Sequence, residues 1–171
     1  MLIQFSVKNF LSIKDRITFS MEPTNTTENE ENIAYINNKK YLKIAFFYGA
    51  NASGKTNIIK AIDFMRNYVL HSQNLQINQR VPLIPFKFDE NTPNEPSEFD
   101  VIFIKDNIKY QYGFSATAFE VCNEYLYYYP NNYPSLIFER NGDNYKFNRK
   151  EENKLEPIKE KNTKKRFKAF L

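Results

Sequence analysis

Gly49-Ala50-Asn51-Ala52-Ser53-Gly54-Lys55-Thr56 is the stretch that decides how this chain is read. It fits the spacing G-x-x-x-x-G-K-[ST], the pattern of a phosphate-binding loop. A triphosphate packs several negative charges into a small volume, and each residue type here answers part of that problem. Glycine at 49 and 54 permits backbone conformations and close approach that a side chain forbids, so successive N–H groups can turn inward onto phosphate oxygens. Lys55 supplies a cation for the β- and γ-phosphates, and Thr56 supplies a hydroxyl for Mg²⁺. A helix starting at this point aims the positive end of its dipole at the same place. The chain has four glycines and two stand in this loop, which sets it apart from a glycine-rich linker.

The flanks predict a strand, this loop and a helix in succession. Residues 41–47, Tyr-Leu-Lys-Ile-Ala-Phe-Phe, read as a strand that becomes fully buried as it runs into the loop. Ile58, Ile62, Met65 and Val69 recur at helical spacing from 55 to about 70, and His71 and Ser72 mark where the periodicity stops. Before this unit, Ile3, Phe5 and Val7 alternate with polar neighbours, as do Ile17 and Phe19, which predicts an antiparallel pair. Residues 22–33 are polar and acidic and read as a solvated loop. After Pro82 and Pro85 the composition turns to strands at 99–104, 108–114, 125–129, 136–138 and 145–147. Asp106-Asn107 and Asn141-Gly142 are the expected turns, so an antiparallel meander follows the helix in place of further βαβ units.

Together the loop, continuing Asn57-Ile58-Ile59-Lys60-Ala61-Ile62, and the opening Phe5-Ser6-Val7-Lys8-Asn9-Phe10-Leu11-Ser12-Ile13 resemble the ATPase heads of ABC, SMC and RecF type. The likeness is closest to bacterial AAA-family ATP-binding proteins of the abortive-infection and overcoming-lysogenization kind. It extends through Pro85-Phe86-Lys87-Phe88-Asp89, Pro96-Ser97-Glu98-Phe99 and Tyr110-x-Tyr112-Gly113-Phe114, and covers about residues 1–147. The resemblance implies a mixed α/β fold, the N-terminal lobe of an ABC/SMC-type P-loop NTPase head. It implies ATP as ligand, with Gly49, Ala50, Asn51, Ala52, Ser53, Gly54, Lys55, Thr56 and Asn57 on the phosphates and Thr56 on Mg²⁺. Asn9 and Ser12 fall in a turn that lies near the nucleotide in such heads. The basic residue often found between them is Leu11 here, a place that Lys14 is expected to take.

The organisation expected is a P-loop domain over 1–147 and a charged, Lys-rich tail over 148–171, the last eight residues starting a helix. Residues 146–171 hold ten Lys or Arg against four Glu, so they carry +6 of a total of +4 and leave 1–145 at −2. The basicity belongs to the tail, where interleaved Glu is the pattern of a solvated segment and nucleic-acid binding is the lesser reading. One cysteine, Cys122, and one histidine, His71, offer neither a disulfide nor metal-ligand spacing. With no apolar run near the ~20 residues of a bilayer span and no signal-type leader, the expected location is the cytoplasm, without a membrane partner.

Hydrolysis needs an acidic partner for Mg²⁺ and a group that orients water, besides the cradle. The usual form is four apolar residues followed by Asp-Glu. Leu83-Ile84-Pro85-Phe86-Lys87-Phe88-Asp89-Glu90 mimics it, but Pro85 and Lys87 do not suit a central strand, so Asp89 and Glu90 read as a turn after a short strand. Val101-Ile102-Phe103-Ile104-Lys105-Asp106 ends in a hairpin turn and is a second decoy. No catalytic residue is assigned. Two functions follow: the ATP-binding lobe of an ATPase that hydrolyses ATP when completed by a C-terminal lobe or second subunit, in a nucleotide-driven dimer and with an effector protein in phage defence; or a module that binds ATP without turning it over.

Overall fold

Period-2 alternation builds most of this molecule. A computed structural model describes residues 1–24, 29–72 and 80–148, and the tail expected over 148–171 lies outside the described residues beyond 148. The opening pair forms as expected: β1 (Leu2–Lys8) lies antiparallel to β2 (Ile17–Ser20). The helix α1 (Lys55–His71) follows the loop, and five strands follow α1: β5 (Ser97–Lys105), β6 (Ile108–Ala116), β7 (Val121–Tyr129), β8 (Ser135–Asn141) and β9 (Asn144–Phe147). The β5–β6 turn places both Asp106 and Asn107 at positive φ, 51° and 61°, as a two-residue hairpin turn requires. In the β8–β9 hairpin the ladder closes on Asn141 opposite Asn144, so the turn is Gly142-Asp143, one residue beyond the expected position.

The opening pair and the meander are one sheet. β1 pairs antiparallel with β5, giving a seven-stranded antiparallel order β2-β1-β5-β6-β7-β8-β9. Phe99, Val101 and Phe103 of β5, with Phe5, Tyr112 and Phe114, face α1, whose Ala61, Met65 and Tyr68 are buried against them. Rings dominate this contact: Phe64 lies 5.1 Å from Phe99 and 5.3 Å from Phe10, and Tyr68 lies 5.0 Å from Phe114. A register shift between Leu2 and Gln4 changes which face β1 shows there. Ile3 consequently joins Ile104 and Tyr41 in a second cluster, while Leu2 packs toward the main core.

Two expectations about the chain before the loop are corrected. Residues 33–36, partly read as loop, form β3 (Ile33–Ile36), which pairs with β4 (Lys39–Leu42) through Asn37 and Asn38 at φ 51° and 62°. The strand expected over 41–47 ends at Leu42. Beyond it the backbone is without strand pairing, and Ile44, Phe46 and Tyr48 are 55%, 73% and 88% exposed. The apolar run signalled burial, but burial of a strand requires a neighbouring ladder, and no described strand pairs with this segment. The alternate residues Ala45 and Phe47 are half-buried, Phe47 with its ring 4.9 Å from that of Phe19.

Candidate functional site

The loop 49–54 connects that open segment to α1, and its shape follows from two glycines. Gly54 has φ +91°, a conformation strained for any L side chain. At Gly49, φ +156°, a Cβ would come within 3.0 Å of Ser53 Oγ, so a side chain there would press on the loop's own far side. Ala52 also holds a left-handed φ of 63°, which costs roughly 1 kcal/mol in a residue with a Cβ. Ser53 N–H donates to Ala50 O at 3.3 Å across the loop.

Lys55 closes the arch. Its Nζ donates to Gly49 O at 2.8 Å and Ala50 O at 2.6 Å, so the ammonium sits across the mouth of the loop. A cation in the first turn of a helix opposes the helix dipole. The first turn of α1 carries no acidic residue to offset it, and its cap, Gly54, has no side chain to satisfy the first N–H groups. The result is a concentration of positive potential and amide donors on an exposed loop, suited chemically to an oxyanion. Thr56 is exposed in the same turn, and Asn57 N–H donates to Gly54 O at 2.8 Å.

The turn after β1 lies against this loop. Asn57 Nδ2 donates to Ser12 Oγ at 2.6 Å, and a Cβ built on Gly54 would lie 3.3 Å from the same oxygen. Asn9 is spent elsewhere. Fully buried, it donates from Nδ2 to Thr92 O at 2.8 Å and Glu95 O at 2.9 Å, and accepts from Phe86 N–H at 2.9 Å on Oδ1. Its carbonyl accepts from Ser97 Oγ. Sequence reading recognised the turn but missed this role, because a polar residue at a strand end gives no sign that it organises a loop some 80 positions away.

Lys14 does not take the place of the absent basic residue at 11. It pairs with Asp89 at 2.6 Å, and that hydrogen bond, with N–H donors from Asn91 and Thr92, holds the Asp89 carboxyl down at about 2. The turn reading of Asp89 therefore holds, although no strand precedes it in the described residues. Val101 to Lys105 run within β5 into the hairpin turn at Asp106. His71 ends α1 with Nδ1 3.0 Å from Asn67 O, a helix-end contact. Cys122 is half-buried, and its thiol is pushed up by that burial.

Among the described residues no group of three or more His, Cys, Asp or Glu is placed to hold a metal ion, and no helix is long and apolar enough to cross a membrane. Comparison with known proteins gives one family match: a family model described as "AAA domain, putative AbiEii toxin, Type IV TA system" matches residues 44–169, most of the chain. No curated protein matches it.

Proposed function

The chain belongs to this family of AAA domains, P-loop ATPase-like nucleotide-binding domains of abortive-infection type, and from that premise we propose that residues 49–57 bind ATP with Mg²⁺ as a Walker A loop. In this proposal backbone N–H groups from Gly49, Ala50, Asn51, Ala52, Ser53 and Gly54 surround the phosphates. Lys55 leaves its carbonyl partners for the β- and γ-phosphates, Thr56 ligates Mg²⁺, and Asn57 supports the first turn of α1. The observation that carries the proposal is the lysine across the mouth of a loop whose helix end is uncapped and free of acidic side chains. That arrangement is unfavourable by itself and becomes favourable with an oxyanion present.

The proposal extends to the lobe. Residues 1–147 form the nucleotide-binding part and 148–171 a basic tail, within an ABC/SMC-like cytoplasmic ATPase of a phage-defence system. The bare segment 44–48 favours completion by a second lobe or subunit, since three alternate exposed apolar side chains on a backbone without strand pairing are costly in water and suit a pairing strand. Hydrolysis then belongs to the completed assembly, with Mg²⁺ and water-orienting carboxylates contributed from outside the Asp89 turn.

A second reading, a module that binds ATP without hydrolysing it, is favoured by Asp89 being committed to Lys14 and to its own turn. Titration with a fluorescent ATP analogue and Mg²⁺, alongside a phosphate-release assay, tests both. Saturable binding that Lys55→Ala weakens at least tenfold supports the proposal, and binding unaffected by that change overturns it. Sustained phosphate release by the chain alone, lost in Lys55→Ala, overturns the second reading.

A further inference from the structure

We infer that Ser12 and Asn57 form a positioning pair that ties the first turn of α1, and with it Gly54, to the end of the sheet. The inference rests on the reading of 49–57 as the nucleotide loop and assigns Ser12 a role through Asn57 in place of direct contact with nucleotide. Three observations carry it. The Asn57 amide donates to Ser12 Oγ at 2.6 Å, and the same oxygen lies where it would touch a Cβ on Gly54. The Lys55 bonds, by contrast, stay within the loop, so they shape it without fixing where it sits.

The turn that presents Ser12 is firmly held. Phe10 and Ile13 exchange N–H to carbonyl bonds at 2.8 and 2.9 Å, and Asn9 N–H reaches Lys14 O at 3.1 Å. Leu11 N–H donates to Ile84 O at 2.9 Å, which fastens the tip to the loop following residue 80. Phe10 and Ile13 are both in the core, Phe10 between Phe64 of α1 and Phe99 of β5. Asn9 and Leu11 are held at φ 55° and 53°, conformations that non-glycine residues keep only where the surroundings over-determine them. A tip built this stiffly can set the position of whatever it bonds, and what Ser12 bonds is the third residue of α1.

A short hydrogen bond at a partly exposed site contributes about a three- to tenfold factor to an equilibrium it controls. Ser12→Ala and Asn57→Ala should each weaken Mg²⁺-ATP-analogue binding by about that factor, the double change should cost no more than either alone, and Ser12→Thr, which keeps the hydroxyl, should restore affinity to within about twofold. Without nucleotide, hydrogen–deuterium exchange in peptides spanning residues 45–60 should speed up alike in both alanine variants, with exchange in β5–β7 unchanged. Additive losses of affinity, or a loss in Ser12→Ala with exchange unchanged, would make Ser12 a direct nucleotide contact and overturn the pair. If the unaltered chain binds no nucleotide, the proposed function falls and exchange alone decides: equal rates in the unaltered chain and both variants overturn the pair, while faster exchange in both upholds it.

Discussion

Replacing Asn9 by alanine should be among the most damaging single changes in this protein, although Asn9 is a small polar residue in a turn. Its side chain makes three good hydrogen bonds at 2.8 to 2.9 Å, two donated to Thr92 O and Glu95 O and one accepted from Phe86 N–H. Each such bond contributes about 1 kcal/mol net, and buried partners left unpaired cost about 1–3 kcal/mol each. Asn9 is 0% exposed and Thr92 5%, so water cannot readily replace the lost groups at that end. Alanine also tolerates the φ of 55° less well than asparagine, adding up to roughly 1 kcal/mol. The expected loss is about 3–5 kcal/mol, read by urea unfolding followed by far-ultraviolet circular dichroism as a midpoint lowered by about 2 M at unchanged slope. Asn9→Asp keeps the acceptor for Phe86 but loses both donors and sets a charge against two carbonyls, so it should be no better than alanine. Asn9→Gly relieves the backbone and should recover less than about 1 kcal/mol. A loss under about 1 kcal/mol in Asn9→Ala would refute the claim that this side chain organises residues 86–96.

Two further outcomes follow from the charged groups. Glu124 and Arg140 are 0% and 2% exposed, 3.9 Å apart, and Glu124 also accepts from Tyr112 Oη at 2.8 Å; Glu124→Ala removes the carboxylate beside a buried guanidinium and should cost about 3–5 kcal/mol, while Glu124→Leu with Arg140→Met should cost clearly less than either single change in the same urea assay. The Asp89 carboxyl is lowered from 3.8 to about 2 in the fold, so its contribution is present above the unfolded value and is lost as pH falls through the folded one; melting temperature between pH 4 and 2 should fall less steeply in Asp89→Asn than in the unaltered chain.

What the sequence disclosed and what it hid divide along the range of the signal. The spacing of Ile58, Ile62, Met65 and Val69 is a local period, and α1 runs within a residue of where that period places it. The Asp106-Asn107 turn and the strands around it were legible for the same reason, since turn chemistry and alternation act over a few residues. The union of β1 with β5 was not legible, because pairing Phe5 with Val101 spans ninety-odd positions and leaves no mark in either strand's own pattern. The β3–β4 hairpin was hidden by its shortness: Asn37-Asn38 joins four-residue strands, and the Lys39-Lys40 that follows looks like the rest of a polar loop. At the candidate site the loop itself could be read from its residue types. The Asn57 to Ser12 bond could not, since neither residue announces the other.

The misreading of residues 41–47 is the most informative, because it bears on how the two ends of the loop are held. On the α1 side the chain is fixed three ways, by the helix packed on the sheet, by Ser12 and by the Phe10 ring. On the other side Tyr48 is 88% exposed, and the last side chain with cover is Phe47 against Phe19. A phosphate cradle needs both ends in place, since Gly49 and Ala50 lie on the open side while Gly54 and Lys55 lie on the fixed side. On the function proposed here, whatever freedom residues 44–48 keep without a pairing strand is given up when ligand binds the chain alone, at about 1–2 kcal/mol per residue of backbone fixed. A strand pairing with that segment would meet this cost in advance and raise nucleotide affinity without touching the nucleotide. By linkage the nucleotide must in turn strengthen the pairing by the same factor. On that proposal, nucleotide-driven assembly follows from an exposed apolar segment joined directly to the loop 49–54, and requires no separate switch.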